Sequence, residues 1–171
     1  MSFDLKHLPR SFGDLVIADA NDAAIIHTYV AGPPAKPLLL AGPPGAGKTE
    51  AARVIAHSYF ATRNCDFHSW EYNGASLGKN FEDLLMAEAN IQKIGNRDKV
   101  LILINEIDLM DLRSVQPLFR QFMDDKRHLF HFIATTNHKS CLMGAMLNRF
   151  RVLDLKLPTP SDWVPRAKAI L

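Results

Sequence analysis

Residues 42–49 read GPPGAGKT, and these are the residue types needed to hold a phosphate. Glycines let backbone N–H groups turn inward around an anion with no Cβ in the way. A helix starting behind them adds unsatisfied donors and partial positive charge. In the spacing G-x-x-x-x-G-K-T, Lys48 is placed to bridge the β- and γ-phosphates of a nucleoside triphosphate, and the Thr49 hydroxyl to hold Mg²⁺. Gly42, Pro43, Pro44, Gly45, Ala46, Gly47, Lys48, Thr49 and the adjoining Glu50 are therefore the candidate nucleotide-binding residues. Two further polar groups follow apolar runs: Asn105-Glu106 after VLILI, and Asn137 after the stretch 129–136.

These residues can act together only if the chain brings them to one edge. Residues 38–40 (LLL) have the length of a buried strand leading into the glycine loop, and residues 50–60 read as the helix after it. Residues 67–72 (FHSWEY) alternate as a strand, and Asn73-Gly74 ends it. Residues 79–94 have mostly helical apolar spacing. The run 100–104 (VLILI) is the continuous apolar strand of a parallel sheet. A helix capped by Ser114 to about Asp125, a strand at 129–136, a short helix at 142–147 and a strand at 151–157 complete the alternation. Asn21 or Asp22 is expected to cap an earlier helix through Ala31, and Asp162 a final one with Pro165 in its first turn. The pattern predicts an α/β fold, a five-stranded parallel doubly wound sheet with ligands at the strands' C-terminal edge. The loop, Asn105-Glu106 and Asn137 all fall at that edge.

A chain of 171 residues with 47% hydrophobic and 22% charged content suits one soluble globular domain. Its net charge of +2 is too small to argue for nucleic acid. No run approaches membrane-spanning length and the start has no apolar signal core, so a cytoplasmic location with reduced, partly buried Cys65 and Cys141 is expected. Cys65-x-x-His68 and His138-x-x-Cys141 have ligand spacing, but the element order sends the two pairs to opposite edges of the sheet, too far apart to share Zn²⁺.

The ordered set GPPGAGKT, LILINEID, IATTN and LNRFRVLDL, with a proline-rich break after it, resembles the AAA+ ATPases over nearly the whole chain. Within them it looks closest to clamp-loader small subunits and related replication ATPases. The resemblance implies a P-loop NTPase core over residues 1–158, with an N-terminal arm at 1–20. Residues 159–171 are then only the start of a helical lid that is otherwise essentially absent. It implies ATP and Mg²⁺ as cofactors, with Lys48 and Thr49 on phosphates and metal. Glu106 would polarise the attacking water, Asn137 would position it, and Arg149, with Arg151 as the competing candidate, would reach into a neighbouring subunit's site. The segment PRSFGDLV resembles the part that packs near the adenine, which makes Val16 and Ile17 base-pocket candidates. Ring-like homo- or hetero-oligomeric AAA+ neighbours are the implied partners, together with DNA or a replication protein. Lys79, Arg97, Lys99, Arg113, Arg120, Lys126 and Arg127 are the basic residues available for a DNA backbone.

One position departs from the pattern. The family's second motif ends in Asp-Glu, whereas here Asn105 precedes Glu106. A neutral amide supplies no charge to a hard cation that prefers carboxylate oxygen, so weak Mg²⁺ binding and slow turnover are expected, with Asp108 as a partial substitute. Two functions therefore compete: hydrolysis between subunits, and a non-hydrolysing nucleotide-dependent assembly switch or remodelling module. A small-molecule or nucleotide kinase would share the phosphate loop but leaves the Asn-Glu, Thr-Thr-Asn and Asn-Arg-Phe stretches unexplained.

Overall fold

The computed structural model describes residues 8–31, 36–61, 70–92 and 100–170. The apolar runs become strands buried along their length: β1 (Leu38–Ala41), β3 (Val100–Asn105, with only its last residue half-buried) and β4 (Phe130–Thr136). Two four-residue strands, β2 (Trp70–Asn73) and β5 (Arg151–Asp154), form the edges. The sheet has five strands in the order β2-β3-β4-β1-β5, and every neighbouring pair is parallel. Before β1 lies α1 (Ala20–Ala31); between the strands lie α2 (Lys48–Ala61), α3 (Phe81–Gln92), α4 (Gln116–Asp125) and α5 (Gly144–Leu147); α6 (Pro160–Ile170) follows β5.

Strand alternation divides the core into two faces. Leu38, Leu40, Leu101, Leu103 and Ile133 pack against Ile26 and Tyr29 of α1 and Ala51, Ala52, Ile55 and Ala56 of α2. Those alanines let α2 lie close to the sheet, which sets where its first residue, Lys48, emerges. On the other face Leu39, Ile102, Ile104 and Phe132 meet Phe81 and Leu85 of α3 and Phe119 and Phe122 of α4. Phe81 meets Phe119 and Phe122 edge-to-face at centroid distances of 5.4 Å, each such pair worth about 0.5–1.5 kcal/mol beyond area burial.

Helix ends differ from the sequence expectation in which side chain caps them. Asp19, not Asn21 or Asp22, begins α1, its Oδ1 accepting from the Asn21 and Asp22 amides at 2.9 and 3.4 Å. Asp111 organises the turn before α4 by accepting from Ser114 N and Oγ at 2.6 and 2.5 Å, so Ser114 is a donor and not the cap. The last helix starts at Pro160, where the Asp162 carboxylate accepts from Thr159 N and Oγ1 at 2.7 and 2.8 Å; Pro165 consequently lies inside the helix, beyond its first turn. The arm contains a 3-10 turn at Phe12–Asp14. β5 stops at Asp154 and not at 157, because its partner among the described strands, β1, ends at Ala41, directly opposite. Cys141 is exposed, on a one-turn 3-10 helix after β4, where partial burial was expected. Cys65 and His68 lie outside the described residues, as do the first three positions of the strand expected at 67–72. No helix among the described residues is long and apolar enough to cross a membrane.

Candidate nucleotide-binding site

The glycine loop spans the gap between β1 and α2. Gly42 has φ 149°, and a Cβ there would collide with the carbonyl oxygen of Leu155, so the loop leaves the sheet through a gap only glycine fits. Gly45 and Gly47 take φ of 85° and 76°. Behind them Lys48 is buried, 8% exposed, and its Nζ donates to the Gly42 and Pro43 carbonyls at 2.8 and 2.7 Å. Burial pushes the Lys48 ammonium below the usual lysine range, and the charges of Asp108 and Glu106 offset this only in part. A desolvated cation whose hydrogen bonds go to neutral carbonyls is suited to an incoming anion.

The C-terminal ends of β3 and β4 bring the remaining groups. Glu106 adopts left-handed backbone angles, φ 51° and ψ 51°, at a cost of roughly 1–2 kcal/mol for a non-glycine residue. Its amide donates to Thr135 Oγ1 at 3.1 Å, and its Oε2 accepts from Asn73 Nδ2 at 2.8 Å. Asn105 donates through Nδ2 to Glu71 and accepts through Oδ1 from Thr135 Oγ1 at 3.2 Å. Lys48, Thr49, Asn105, Glu106, Thr135 and Asn137 line one cleft of about 450 Å³ together with the loop. A second, largely apolar cavity of about 280 Å³ adjoins it through Gly45, Gly47 and Glu50, and its walls include Val16, Ile17, Leu155 and Trp163. The Arg166–Asp14 ion pair ties α6 to the arm beside this cavity.

Arg149 is elsewhere. It precedes β5 and lines a groove with Pro37, Phe130 and His131 at the N-terminal edge of the sheet, opposite the loop. Its Nε and Nη2 donate to the Asp124 carboxylate at 3.1 and 2.7 Å, and Nη1 to the Ala145 carbonyl at 2.7 Å. The Arg149 guanidinium holds the Asp124 carboxyl below the usual carboxylate range. Asp108 is not part of the cleft wall; one of its carboxylate oxygens is buried with no hydrogen-bond partner among the described residues. Of the basic residues considered for DNA, Lys79, Arg113 and Arg127 are exposed, Lys126 is half-buried and Arg120 pairs with Asp124 at 3.8 Å; Arg97 and Lys99 lie outside the described residues. Asn73 and Glu71 were not legible as site residues. Asn-Gly marked only a turn, and their contacts depend on the β2–β3 register.

The donors present fit a magnesium nucleotide: a buried lysine, backbone amides on a glycine loop, a threonine hydroxyl, and amide and carboxylate oxygens across the cleft. A parallel sheet with β1 between β4 and β5, the glycine loop after β1 and an apolar cavity beside it define a P-loop NTPase of the AAA+ type. The chain belongs to the AAA family, described as the ATPase family associated with various cellular activities, whose profile matches residues 38–156. Replication factor C small subunit 1 of Pyrobaculum arsenaticum is 26% identical over 151 residues, covering 86% of this chain and 44% of that one. The replication factor C large subunit of Methanosphaera stadtmanae is 30% identical over 111 residues, covering 60% and 19%. The chain thus spans less than half the length of these curated relatives. Among solved structures, the Thermotoga maritima RuvB Holliday junction branch migration motor shares the fold with a TM-score of 0.69 at 23% identity, over 96% of this chain and 52% of that one.

Proposed function

We propose that this chain binds Mg-ATP and hydrolyses it at the boundary with a neighbouring AAA+ subunit, within an assembly that works on DNA or a replication protein. The observation that carries this is the single cleft shared by Lys48, Thr49, Asn105, Glu106 and Asn137. Val16, Ile17 and Trp163 would take the base, the loop amides and Lys48 the phosphates, and Thr49 with Asn105 the metal. Bound Mg²⁺ would neutralise charge on the phosphates. Glu106 would orient a water for in-line attack and accept its proton, with Asn137 fixing that water against the terminal phosphoryl group. Asn73 donates to one Glu106 oxygen and so orients this carboxylate from β2. Arg149 lies at the wrong edge to serve its own site and is suited to a neighbour's. The kinship to replication factor C supports a DNA-related assembly, and exposed Arg113 and Arg127 are available for a phosphate backbone.

The neutral Asn105 favours one other reading, a nucleotide-dependent assembly switch without turnover. Phosphate release measured over rising protein concentration, with the Glu106→Gln variant alongside, separates them. Hydrolysis that climbs with concentration and vanishes in the variant supports the ATPase; nucleotide binding with no release at concentrations that assemble supports the switch. Failure to bind ATP would remove both.

A further inference from the structure

Asn105 occupies the position where the resemblance leads one to expect aspartate, and both ends of its amide are engaged. Nδ2 donates to the Glu71 carboxylate and Oδ1 accepts from Thr135. Glu71 stands one strand further out, on β2, two residues before Asn73, the register partner of Asn105. It is fixed there by Arg53 of α2, whose Nε and Nη2 donate to it at 3.1 and 2.8 Å, while Arg53 Nη1 donates to Glu50 at 2.8 Å. Glu50, Arg53, Glu71 and Asn105 together carry one net negative charge, the charge a single aspartate at 105 would bring.

We infer that Glu71 is the acidic residue of this metal site, displaced to the neighbouring strand and acting through Asn105. A carboxylate accepting from the amide N–H polarises the group and makes its oxygen a stronger acceptor. Asn105 Oδ1, on the cleft wall with Thr49, is then the acceptor offered to the waters around Mg²⁺. Glu71 is a positioning residue in this arrangement. Asn105 is its matched partner, since aspartate at 105 would set two carboxylates within hydrogen-bonding reach of each other. The inference rests on the Mg-nucleotide reading of the cleft.

The test is a set of three variants, Glu71→Gln, Asn105→Asp and the double exchange. Each is titrated with a fluorescent ATP analogue in Mg²⁺ and in EDTA, and melted without nucleotide. The parent binds more tightly in Mg²⁺ than in EDTA. Glu71→Gln should lose about tenfold of that Mg²⁺-dependent gain, the size of outer-shell effects at metal sites, and keep its affinity in EDTA. Asn105→Asp alone should lower the ligand-free melting temperature. The double exchange, with the amide on β2 and the carboxylate on β3, should recover both properties. A Glu71→Gln protein with the parent's Mg²⁺ response overturns the inference, and so does an Asn105→Asp protein that gains Mg²⁺-dependent affinity without losing stability. A parent that binds no nucleotide in either buffer defeats the ATPase reading itself, whereas the first two results leave it standing.

Discussion

At the C-terminal edge of the sheet, Lys48 is buried and donates to two carbonyls of its own loop; at the opposite edge, Arg149 is half-buried and closed on the Asp124 carboxylate. The first cation has been stripped of water and given only neutral partners, so a phosphate would improve its surroundings. The second already has a bidentate counter-ion, and a new anion must compete with it. The same contrast holds for the acidic groups. Glu106 is tied by the neutral amide of Asn73, while Asp124 is tied by a full charge. One edge presents a buried cation without a charged partner, and the other a cation already paired.

The sharpest way to break this comparison is Arg149→Ala. In the assembled state turnover should drop by about 10³–10⁵-fold with nucleotide affinity of the isolated chain unchanged. Mixing it with Lys48→Ala protein should restore part of the rate, because one supplies the site and the other the arginine. An arginine acting in cis would give no recovery. Lys48→Ala should weaken ATP binding by about 10–150-fold, equivalent to 1.5–3 kcal/mol for hydrogen bonds to charged groups, as read by calorimetry. Gly42→Ala should lower the melting temperature by several degrees, since the added Cβ meets the rigid Leu155 carbonyl; a loss of about 1–3 kcal/mol corresponds to shifts of that order in a domain of this size.

The smallest effect belongs to the Asp124 contact. Asp124→Asn should leave the melting temperature nearly unchanged, as exposed ion pairs contribute little, yet raise turnover a few-fold at subsaturating protein concentration by freeing Arg149. Acid should break the same contact. The Asp124 carboxyl is held below its ordinary value by Arg149, so the contact is complete above the usual carboxylate range and is lost as pH falls through the lowered value. Carboxyl chemical shifts measured across a pH titration would show it.

The glycine loop, the VLILI strand and the strand-end polar groups were legible in the sequence because each is a local pattern tied to one backbone geometry. β1, β3 and β4 start and end within a residue of their apolar runs, and Pro44, Gly45, Gly47, Thr49, Glu106 and Asn137 line one cleft. What was not legible depends on which side chains meet across elements. The capping roles of Asp19 and Asp111 look interchangeable in sequence with those of Asn21 and Ser114, and only the path of the chain decides. The partners of Asn105 and Glu106 come from β2 through strand register, and that of Arg149 from α4. Asn105 alone reads as a lost charge; beside Glu71 it reads as a relocated one.

One terminal phosphoryl group is expected to draw these residues together, and a crystal structure with Mg²⁺ and a non-hydrolysable ATP analogue tests this most directly. Lys48 Nζ is predicted to leave the Gly42 and Pro43 carbonyls for phosphate oxygens, with Glu106 and Asn137 facing the γ-phosphate and the base beside Val16 and Ile17. A nucleotide bound elsewhere, with Lys48 still on its own loop, would contradict the account.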